Sequence, residues 1–303
     1  MIEKDITLQV ENVSKYFGEF TAVKDLSFEI RAGRVFGFLG PNGAGKTTTI
    51  RMIVGITIPD EGKVELFGKK ITPEIRDRIG YLPEERGLYR KMKVHDQLRY
   101  FAALKGVPGK EADQRIDFWL DRMKLSEWKL KKSTDLSKGM SQKLQFIATM
   151  LHDPDLLILD EPFSGLDPVN VEFMKDVISE IKAQNKTIIF STHLMETAEK
   201  LCDDILLLNK SRKVLSGSLR QIKESYGKNV ISLRCTGGED VLNDTKIVSG
   251  IIEHSDDKEI FLADNADSQM LLKRLIESGA VITKFEMVEP SLNDIFIDNV
   301  KDK

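Results

Sequence analysis

The sequence predicts an α/β fold followed by a small α+β domain, and three observations support this prediction. An apolar strand at residues 35–39 runs into a glycine-rich segment and then into a helical one. Two later apolar runs end in acidic or polar residues, as buried strands of an α/β sheet do. After "SGSLRQIKESYG", residues 216–227, the composition changes, and short strand-like and helical runs alternate without a further catalytic motif.

The composition of the 303-residue chain is that of an ordinary globular protein long enough for two domains. Its net charge of −3 does not indicate a basic surface for nucleic acid. No apolar run approaches the roughly 18 residues that a membrane-spanning helix needs, and the first ten residues lack a secretion signal. Cys202 and Cys235 have neither metal-binding nor disulfide spacing, which fits a reducing cytoplasm.

The elements before residue 136 fall into two groups. Residues 6–30 contain short alternating apolar runs that predict strands, and "KVELFG" predicts another. From Glu84 to Lys132 the apolar spacing becomes helical, which predicts a helical subdomain at about residues 85–135.

The glycine-rich segment between the first buried strand and its helix is the strongest functional signal. "GPNGAGKT", residues 40–47, follows the pattern G-x-x-x-x-G-K-[ST], in which backbone N–H groups surround a polyphosphate. Lys46 is expected to reach the β- and γ-phosphates, and the Thr47 hydroxyl to ligate Mg²⁺. A chance glycine-rich turn is disfavoured by the strand and helix on either side. The expected ATP-binding residues here are Gly40, Asn42, Gly43, Ala44, Gly45, Lys46, Thr47 and Thr48.

Two acidic residues follow the second buried strand, "LLIL" at residues 156–159. Strand-end carboxylates of such a sheet lie beside the phosphate loop. Asp160 is therefore expected in the Mg²⁺ shell, and Glu161 as the general base that activates water. The alternative, a polar turn after a strand, does not explain why the pair accompanies a phosphate loop.

The next apolar strand, residues 187–191, leads to Thr192 and His193. A lone histidine is more often structural than catalytic. At this edge of the sheet, however, an imidazole is placed to hold the γ-phosphate and orient the attacking water.

With these residues assembled, the chain resembles the ATP-binding-cassette (ABC) ATPases over roughly residues 5–220. That resemblance implies a phosphate-loop cassette with antiparallel β and helical subdomains. It implies that Phe17 stacks on adenine, that "SGLD" at residues 164–167 contacts a second subunit, and that His193 is the switch histidine.

"LSKGM", residues 136–140, resembles the signature motif of the same family, usually Leu-Ser-Gly-Gly-Gln. The resemblance implies that Ser137 and Gly139 bind the γ-phosphate held by the phosphate loop of an opposed subunit. Taken without the family, the stretch permits a simpler interpretation, in which Asp135 or Ser137 caps a helix and the glycine is incidental.

Three positions depart from the family pattern. Lys138 replaces the first glycine of the signature and Met140 its glutamine. Glu84 stands where the family has a glutamine that senses Mg²⁺ and the attacking water; a carboxylate is able to ligate Mg²⁺ but adds negative charge near the γ-phosphate.

The segment after the cassette, residues 228–303, is predicted to form a small α+β accessory domain. Strand-like runs at "NVISLRC", "EIFLAD" and "AVITKFEMV" alternate with a helical run at "DSQMLLKRLIESG". Ser291 and Asp294 have the spacing of a capping box for a last helix. The domain is similar to the C-terminal extensions of ABC ATPases of the sodium-extrusion (NatA-like) group.

The resemblance implies an ATP-hydrolysing subunit that uses ATP and Mg²⁺, pairs with a second ATPase subunit and energises a separate integral-membrane permease, with export favoured. It implies a cytoplasmic protein bound to the inner face of the cell membrane, without a nucleic-acid partner. Tyr89, Tyr100, Phe101 and Trp119 are candidates for the permease surface, although a place in the helix core is favoured for most of them. The alternatives are a soluble ABC protein that acts on nucleic acid or the translation machinery, and a module that binds ATP without turnover.

Overall fold

A computed structural model describes residues 6–85, 87–226, 230–253, 257–263, 265–288 and 290–301. The chain divides into two compact units, Met1–Gly217 and Ser218–Lys303. The predicted domain limits at residues 1, 228 and 303 lie outside the described residues, so the division into 1–220 and 228–303 stays a prediction.

The first unit alternates strands and helices along the chain. Its strands are β1 (Ile6–Phe17), β2 (Phe20–Arg31), β3 (Val35–Leu39), β4 (Glu61–Leu66), β5 (Lys69–Lys70), β6 (Ile79–Leu82), β7 (Leu156–Asp160), β8 (Thr187–Thr192), β9 (Asp204–Asn209) and β10 (Arg212–Ser218). Its helices are α1 (Lys46–Ile53), α2 (Pro73–Arg76), α3 (Val94–Leu104), α4 (Gly109–Arg122), α5 (Lys138–Met150), α6 (Pro168–Ala183) and α7 (Met195–Leu201).

Two sheets build this unit. The larger has the strand order β10-β9-β3-β8-β7-β6, and its five strands from β9 to β6 pair in parallel. The smaller, β2-β1-β4-β5, is antiparallel. In the parallel sheet Leu39 pairs with Thr192, and Asp160 with Ser191. The register therefore brings the carboxyl ends of β3, β7 and β8 to one edge.

The main hydrophobic core contains buried residues of both sheets and of α1. Every residue of β3 is buried, as expected for a central parallel strand covered on both faces. Phe28 of the antiparallel sheet packs against Phe36 and Phe38 of β3, with ring centroids 5.7 and 5.4 Å apart. This packing fixes the strand that leads into the phosphate loop.

The helical subdomain consists of α3, α4 and the first turns of α5. Leu98, Ile116 and Leu120 are fully buried between these helices at the predicted helical spacing. Tyr89 and Tyr100 are 48% and 41% exposed, so the interpretation of these aromatics as helix core is wrong for both. They instead form an aromatic cluster with Phe101, in which the ring centroids lie 5.6–6.0 Å apart.

The second unit is an antiparallel sheet with helices, in the strand order β12-β13-β11-β14. Its elements are α8 (Leu219–Tyr226), β11 (Val230–Thr236), α9 (Glu239–Leu242), β12 (Val248–Glu253), β13 (Lys258–Leu262), α10 (Ser268–Glu277), β14 (Val281–Met287) and α11 (Leu292–Lys301). The predicted capping box is confirmed: Asp294 N–H donates to Ser291 Oγ at 3.1 Å, and Ser291 N–H donates to Asp294 Oδ2 at 3.2 Å. This unit has its own core around Ile231, Leu233, Ile260 and Leu271.

Candidate active site

The phosphate loop connects the end of β3 to the start of α1. Gly40, Gly43 and Gly45 have φ angles of 142°, 79° and 103°, a region that side chains of L-residues rarely adopt. A Cβ at Gly40 would collide with the Leu208 carbonyl oxygen, and one at Gly45 would lie 2.5 Å from the Ala22 carbonyl oxygen. The loop therefore needs these glycines both for its conformation and for close backbone packing.

Lys46 is held inside this loop and is only 6% exposed. Its Nζ donates to the carbonyl oxygens of Gly40 at 2.8 Å and Pro41 at 3.2 Å, and lies 3.8 Å from Glu161 Oε1. Burial lowers the pKa of Lys46, while the nearby carboxylates of Glu161, Asp160 and Glu84 act to raise it. Phosphate oxygens entering the loop would take over the role of the carbonyls as acceptors for this ammonium group.

Asp160 ends β7 and is completely buried. Its Oδ1 accepts from Thr47 Oγ1 at 3.3 Å and from Ser191 Oγ at 2.5 Å. Its Oδ2 is buried and has no hydrogen-bond partner among the described residues. Leaving a carboxylate oxygen of this kind unpaired is costly, so Oδ2 is suited to a cationic ligand.

Glu161 lies one residue further, 8% exposed and in the left-handed conformation with φ 49°. A non-glycine residue in this region is uncommon and is found at functional sites where the surroundings hold it. Its N–H donates to Ser191 Oγ at 3.0 Å, and its Oε1 is 3.1 Å from His193 Nδ1. Because an ionised carboxylate only accepts, this contact requires the proton on Nδ1.

These residues surround a cavity of about 320 Å³. Most of the predicted nucleotide-binding residues line it, with Lys46 at its base and Glu84 and Glu161 at its acidic side. The lining residues are Phe20, Ala22, Asn42, Gly43, Gly45, Lys46, Thr47, Thr48, Glu84 and Glu161. Gly40 and Ala44 belong to the same loop behind this surface, while Asp160 and His193 contact lining residues.

The predicted adenine-stacking ring, Phe17, lies at the end of β1 and is 54% exposed. It pairs across the β1–β2 hairpin with Phe20, which is the aromatic residue that lines the cavity. Phe17 is not among the described lining residues. Sequence reasoning missed Phe20, whose only signal is its position three residues after Phe17, beyond Gly18 and Glu19.

Ser191 is the second functional residue that sequence reasoning missed. Its hydroxyl connects the Oδ1 of Asp160 and the N–H of Glu161, so one side chain fixes both acidic residues. The only sequence signal was a serine at the end of the strand before His193.

Ser137 and Gly139 are not among the described residues that line this cavity. Ser137 is the N-cap of α5, and its Oγ accepts from the Met140 N–H at 3.2 Å, as the simpler interpretation expected. A Cβ at Gly139 would meet Leu166 Cδ2 at 3.4 Å, which is ordinary van der Waals contact. Nothing in the described part of the chain's own surroundings therefore demands a glycine at position 139.

Within the described ranges, no group of three or more His, Cys, Asp or Glu residues is arranged to hold a metal ion. No described helix is both long enough and apolar enough to cross a bilayer.

Known protein families match segments of both units. A family model described as ABC transporter matches residues 23–164, and one described as the C-terminal domain of DrrA1-3-like ATP-binding proteins matches residues 217–300. The chain is 45% identical to the ABC transporter ATP-binding protein YhaQ of Bacillus subtilis, over 97% of this chain and 98% of the relative. It is 36% identical to the Nod factor export ATP-binding protein I of Ralstonia nicotianae, over 75% of this chain and 74% of that protein.

Solved structures confirm the fold class. One described as the ATP-binding subunit of an ABC transporter superposes with a TM-score of 0.68 at 32% identity, covering 73% of this chain and 93% of that one. The cbiO1 protein of Clostridium perfringens, part of a cbiONQ transporter complex, gives a TM-score of 0.66 at 25% identity, covering 80% and 95%.

Proposed function

The chain belongs to the ABC transporter ATP-binding proteins, which hydrolyse ATP to power transport, and from that premise we propose how its own residues do so. The observation that carries the proposal is the convergence of Lys46, Glu161 and His193 on one cavity. The loop N–H groups and Lys46 would bind the phosphates, and Phe20, which lines the cavity and pairs with Phe17, would receive adenine.

The residues present fit Mg²⁺. A buried Asp160 Oδ2 without a partner in the described structure, next to the Thr47 hydroxyl, offers the oxygen ligands that this ion prefers. Phosphate oxygens would complete the shell, and Glu84 lines the same cavity as a further carboxylate. The ion, when bound, would neutralise charge on the β- and γ-phosphates.

Hydrolysis needs a base beside the γ-phosphate and a second group that orients this base. Glu161 is placed to accept a proton from the attacking water, and His193 Nδ1 holds its Oε1 in position. Lys46 Nζ lies 3.8 Å from Glu161 Oε1, so the base adjoins the cation that would bind the γ-phosphate. Loss of such a base costs typically 10²–10⁴-fold in rate.

The composite-site proposal concerns Ser137 and Gly139. Neither residue lines the chain's own cavity within the described structure, and the surroundings do not account for the glycine. Both lie at the N-terminus of a thirteen-residue helix, where free N–H groups and the helix dipole favour an anion. We propose that they bind the γ-phosphate of a second ATPase subunit.

A membrane permease is the second partner that we propose, and it would hold this subunit at the inner face of the membrane. An apolar groove of about 390 Å³ is formed by α3, α5 and β6 with neighbouring loops, lined by Ile56, Phe101 and Leu104 among others. Two buried acceptors that line it, Gln145 Oε1 on α5 and His152 Nδ1 just after α5, have no partner among the described residues. An amphipathic permease segment with hydrogen-bond donors fits such a surface. Relatives named for Nod factor export favour export as the direction.

The test of the active site is the Glu161→Gln variant. We expect ATP binding to persist, phosphate release to fall about 10²–10⁴-fold, and an ATP-bound dimer to accumulate. Steady-state phosphate release and size-exclusion chromatography with ATP measure both effects. A turnover within a few-fold of the unmodified protein would mean that Glu161 is not the base.

A further inference from the structure

The nucleotide cavity carries more negative than positive side-chain charge. Among its described lining residues, Glu84 and Glu161 are acidic, Asp160 lies directly behind Thr47, and Lys46 is the sole lysine or arginine. The Lys46 ammonium is already bound by two backbone carbonyls and adjoins Glu161. A polyphosphate entering this cavity therefore adds to an existing excess of negative charge.

Glu84 is the least compensated acidic residue of this set, since it attracts Lys46 only from a distance. Asp160 accepts two hydrogen bonds, and Glu161 is held by His193 and Lys46. Glu84 is exposed and, within the described part of the chain, makes neither a hydrogen bond nor an ion pair. It is also the residue that replaces a neutral glutamine in the family pattern.

Lys138 is an unpaired charge of the opposite sign. It is the first residue of α5, directly after the Ser137 cap, and it is exposed. A cation at a helix N-terminus opposes the helix dipole, and the first turn of α5 contains no acidic residue to offset it. Among the described residues Lys138 has no ion-pair partner. Within one subunit this lysine is electrostatically unfavourable.

The Lys138 side chain lies against Gly165, whose φ is 73°. A Cβ at Gly165 would lie 2.8 Å from Lys138 Cδ and would collide with Cε and Nζ. The lysine side chain therefore lies against the loop that follows Glu161, and in the sequence Lys138 stands between Ser137 and Gly139. An anion bound by those two residues would have this cationic residue as a neighbour.

We propose that Lys138 of one subunit supplies the positive charge that balances Glu84 of the other when the two close over ATP. The inference rests on the proposed composite site. In place of a neutral glutamine and a neutral glycine, this chain would carry an acidic and a basic residue that meet only in the closed dimer. Closure would then remove an unpaired charge from each subunit, which makes Lys138 a positioning residue for the ATP-bound state.

A double-mutant cycle in the Glu161→Gln background tests this coupling. The variants are Glu84→Gln, Lys138→Gln and both together, and the readout is the ATP concentration that gives half-maximal dimer. We expect Lys138→Gln alone to raise this ATP concentration about fivefold. In the double variant, the rise should be well below the product of the rises in the two single variants. Lys138→Arg keeps the charge and should restore closure. Lys131→Gln combined with Glu84→Gln is the matched control, because Lys131 is another exposed lysine of the same subunit.

The proposal would be overturned if the effects of Glu84→Gln and Lys138→Gln on this ATP concentration simply multiply. It would also be overturned if Lys131→Gln shows the same coupling to Glu84→Gln.

A cross-link between the two positions gives a second, independent measurement. Subunits carrying Glu84→Cys and Lys138→Cys, in a Cys235→Ser background, should be joined by a short bis-maleimide only when mixed and only with ATP. Absence of this link in a dimer that does form would also overturn it. If no variant forms an ATP-dependent dimer, the proposed composite site itself fails, which is a distinguishable result.

Discussion

At the scale of single residues, Ser191 determines how the two acidic side chains of the site are placed. Its hydroxyl accepts from the Glu161 N–H and donates to Asp160 Oδ1, and all three residues are buried. Glu161 has a left-handed backbone that only such a contact would hold. The base and the candidate Mg²⁺ ligand therefore share one support.

Replacement of Ser191 by alanine should separate catalysis from binding. We expect turnover to fall about 10–100-fold, because a small displacement of the base is costly, while ATP affinity changes by a few-fold at most. The unsatisfied Glu161 N–H should cost about 1–3 kcal/mol of stability. Phosphate release, nucleotide titration and thermal unfolding measure the three effects. Ser179→Ala is the control, since its Oγ bonds only within α6; equal losses in both variants would contradict the assigned role.

At the scale of elements, the sequence was most informative where one local pattern decides the structure. The predicted strands at residues 35–39, 156–159 and 187–191 correspond to β3, β7 and β8, since continuous apolar runs suit buried parallel strands. β12 (Val248–Glu253) was not predicted, because only its first residue is buried and Gly250 interrupts the pattern.

The same distinction explains which site residues were found. The phosphate loop is contiguous, so its glycines and Lys46 were visible as a motif. The role of Ser191 arises from its pairing with Asp160, 31 positions away, and that of Phe20 from hairpin pairing with Phe17. The strands β7 and β8 are buried along their whole length, so their sequences show no alternation from which the register of Ser191 against Asp160 could be predicted.

The groove beside α5 gives a prediction at this scale. Leu104 is 64% exposed within the groove, whereas Leu130 is 71% exposed and is not among its described lining residues. We expect Leu104→Glu to abolish retention on membranes of the source cell and to leave basal phosphate release intact. Leu130→Glu is the matched control and should be retained. Sedimentation with membrane vesicles measures this; equal retention of both variants would mean that the groove does not bind the permease.

At the scale of the whole molecule, the two compact units have separate cores. Every proposed nucleotide-binding residue lies in Met1–Gly217, while Ile231, Leu233 and Leu271 belong to the core of Ser218–Lys303. Removal of residues 228–303 should therefore leave a folded cassette that binds Mg-ATP with nearly unchanged affinity. Circular dichroism, thermal unfolding and titration with a fluorescent ATP analogue test this. An insoluble fragment, or one that does not bind nucleotide, would show that the second unit is needed for the cassette to fold.

The composite site makes the most demanding prediction, because it concerns two chains at once. Ser137→Arg would place a bulky cation where the opposed γ-phosphate must approach, so hydrolysis should stop while the monomer still binds ATP. Lys46→Ala should instead abolish binding, since its ammonium neutralises the β- and γ-phosphates. Ser137 also caps α5, and losing the cap costs about 1 kcal/mol, so Ser137→Ala is needed to measure that cost separately.

Mixing these two inactive variants discriminates between a site shared by two subunits and a site within one. A heterodimer would contain one site with both defects and one with neither. Random pairing in equal amounts would therefore recover about a quarter of the activity if each site of a symmetric dimer works independently. The measurement is phosphate release from the mixture, with heterodimers confirmed by two affinity tags. If confirmed heterodimers show no recovery, either both sites must act together or the signature serves its own chain; normal turnover by Ser137→Arg alone would leave Ser137 as a helix cap and nothing more.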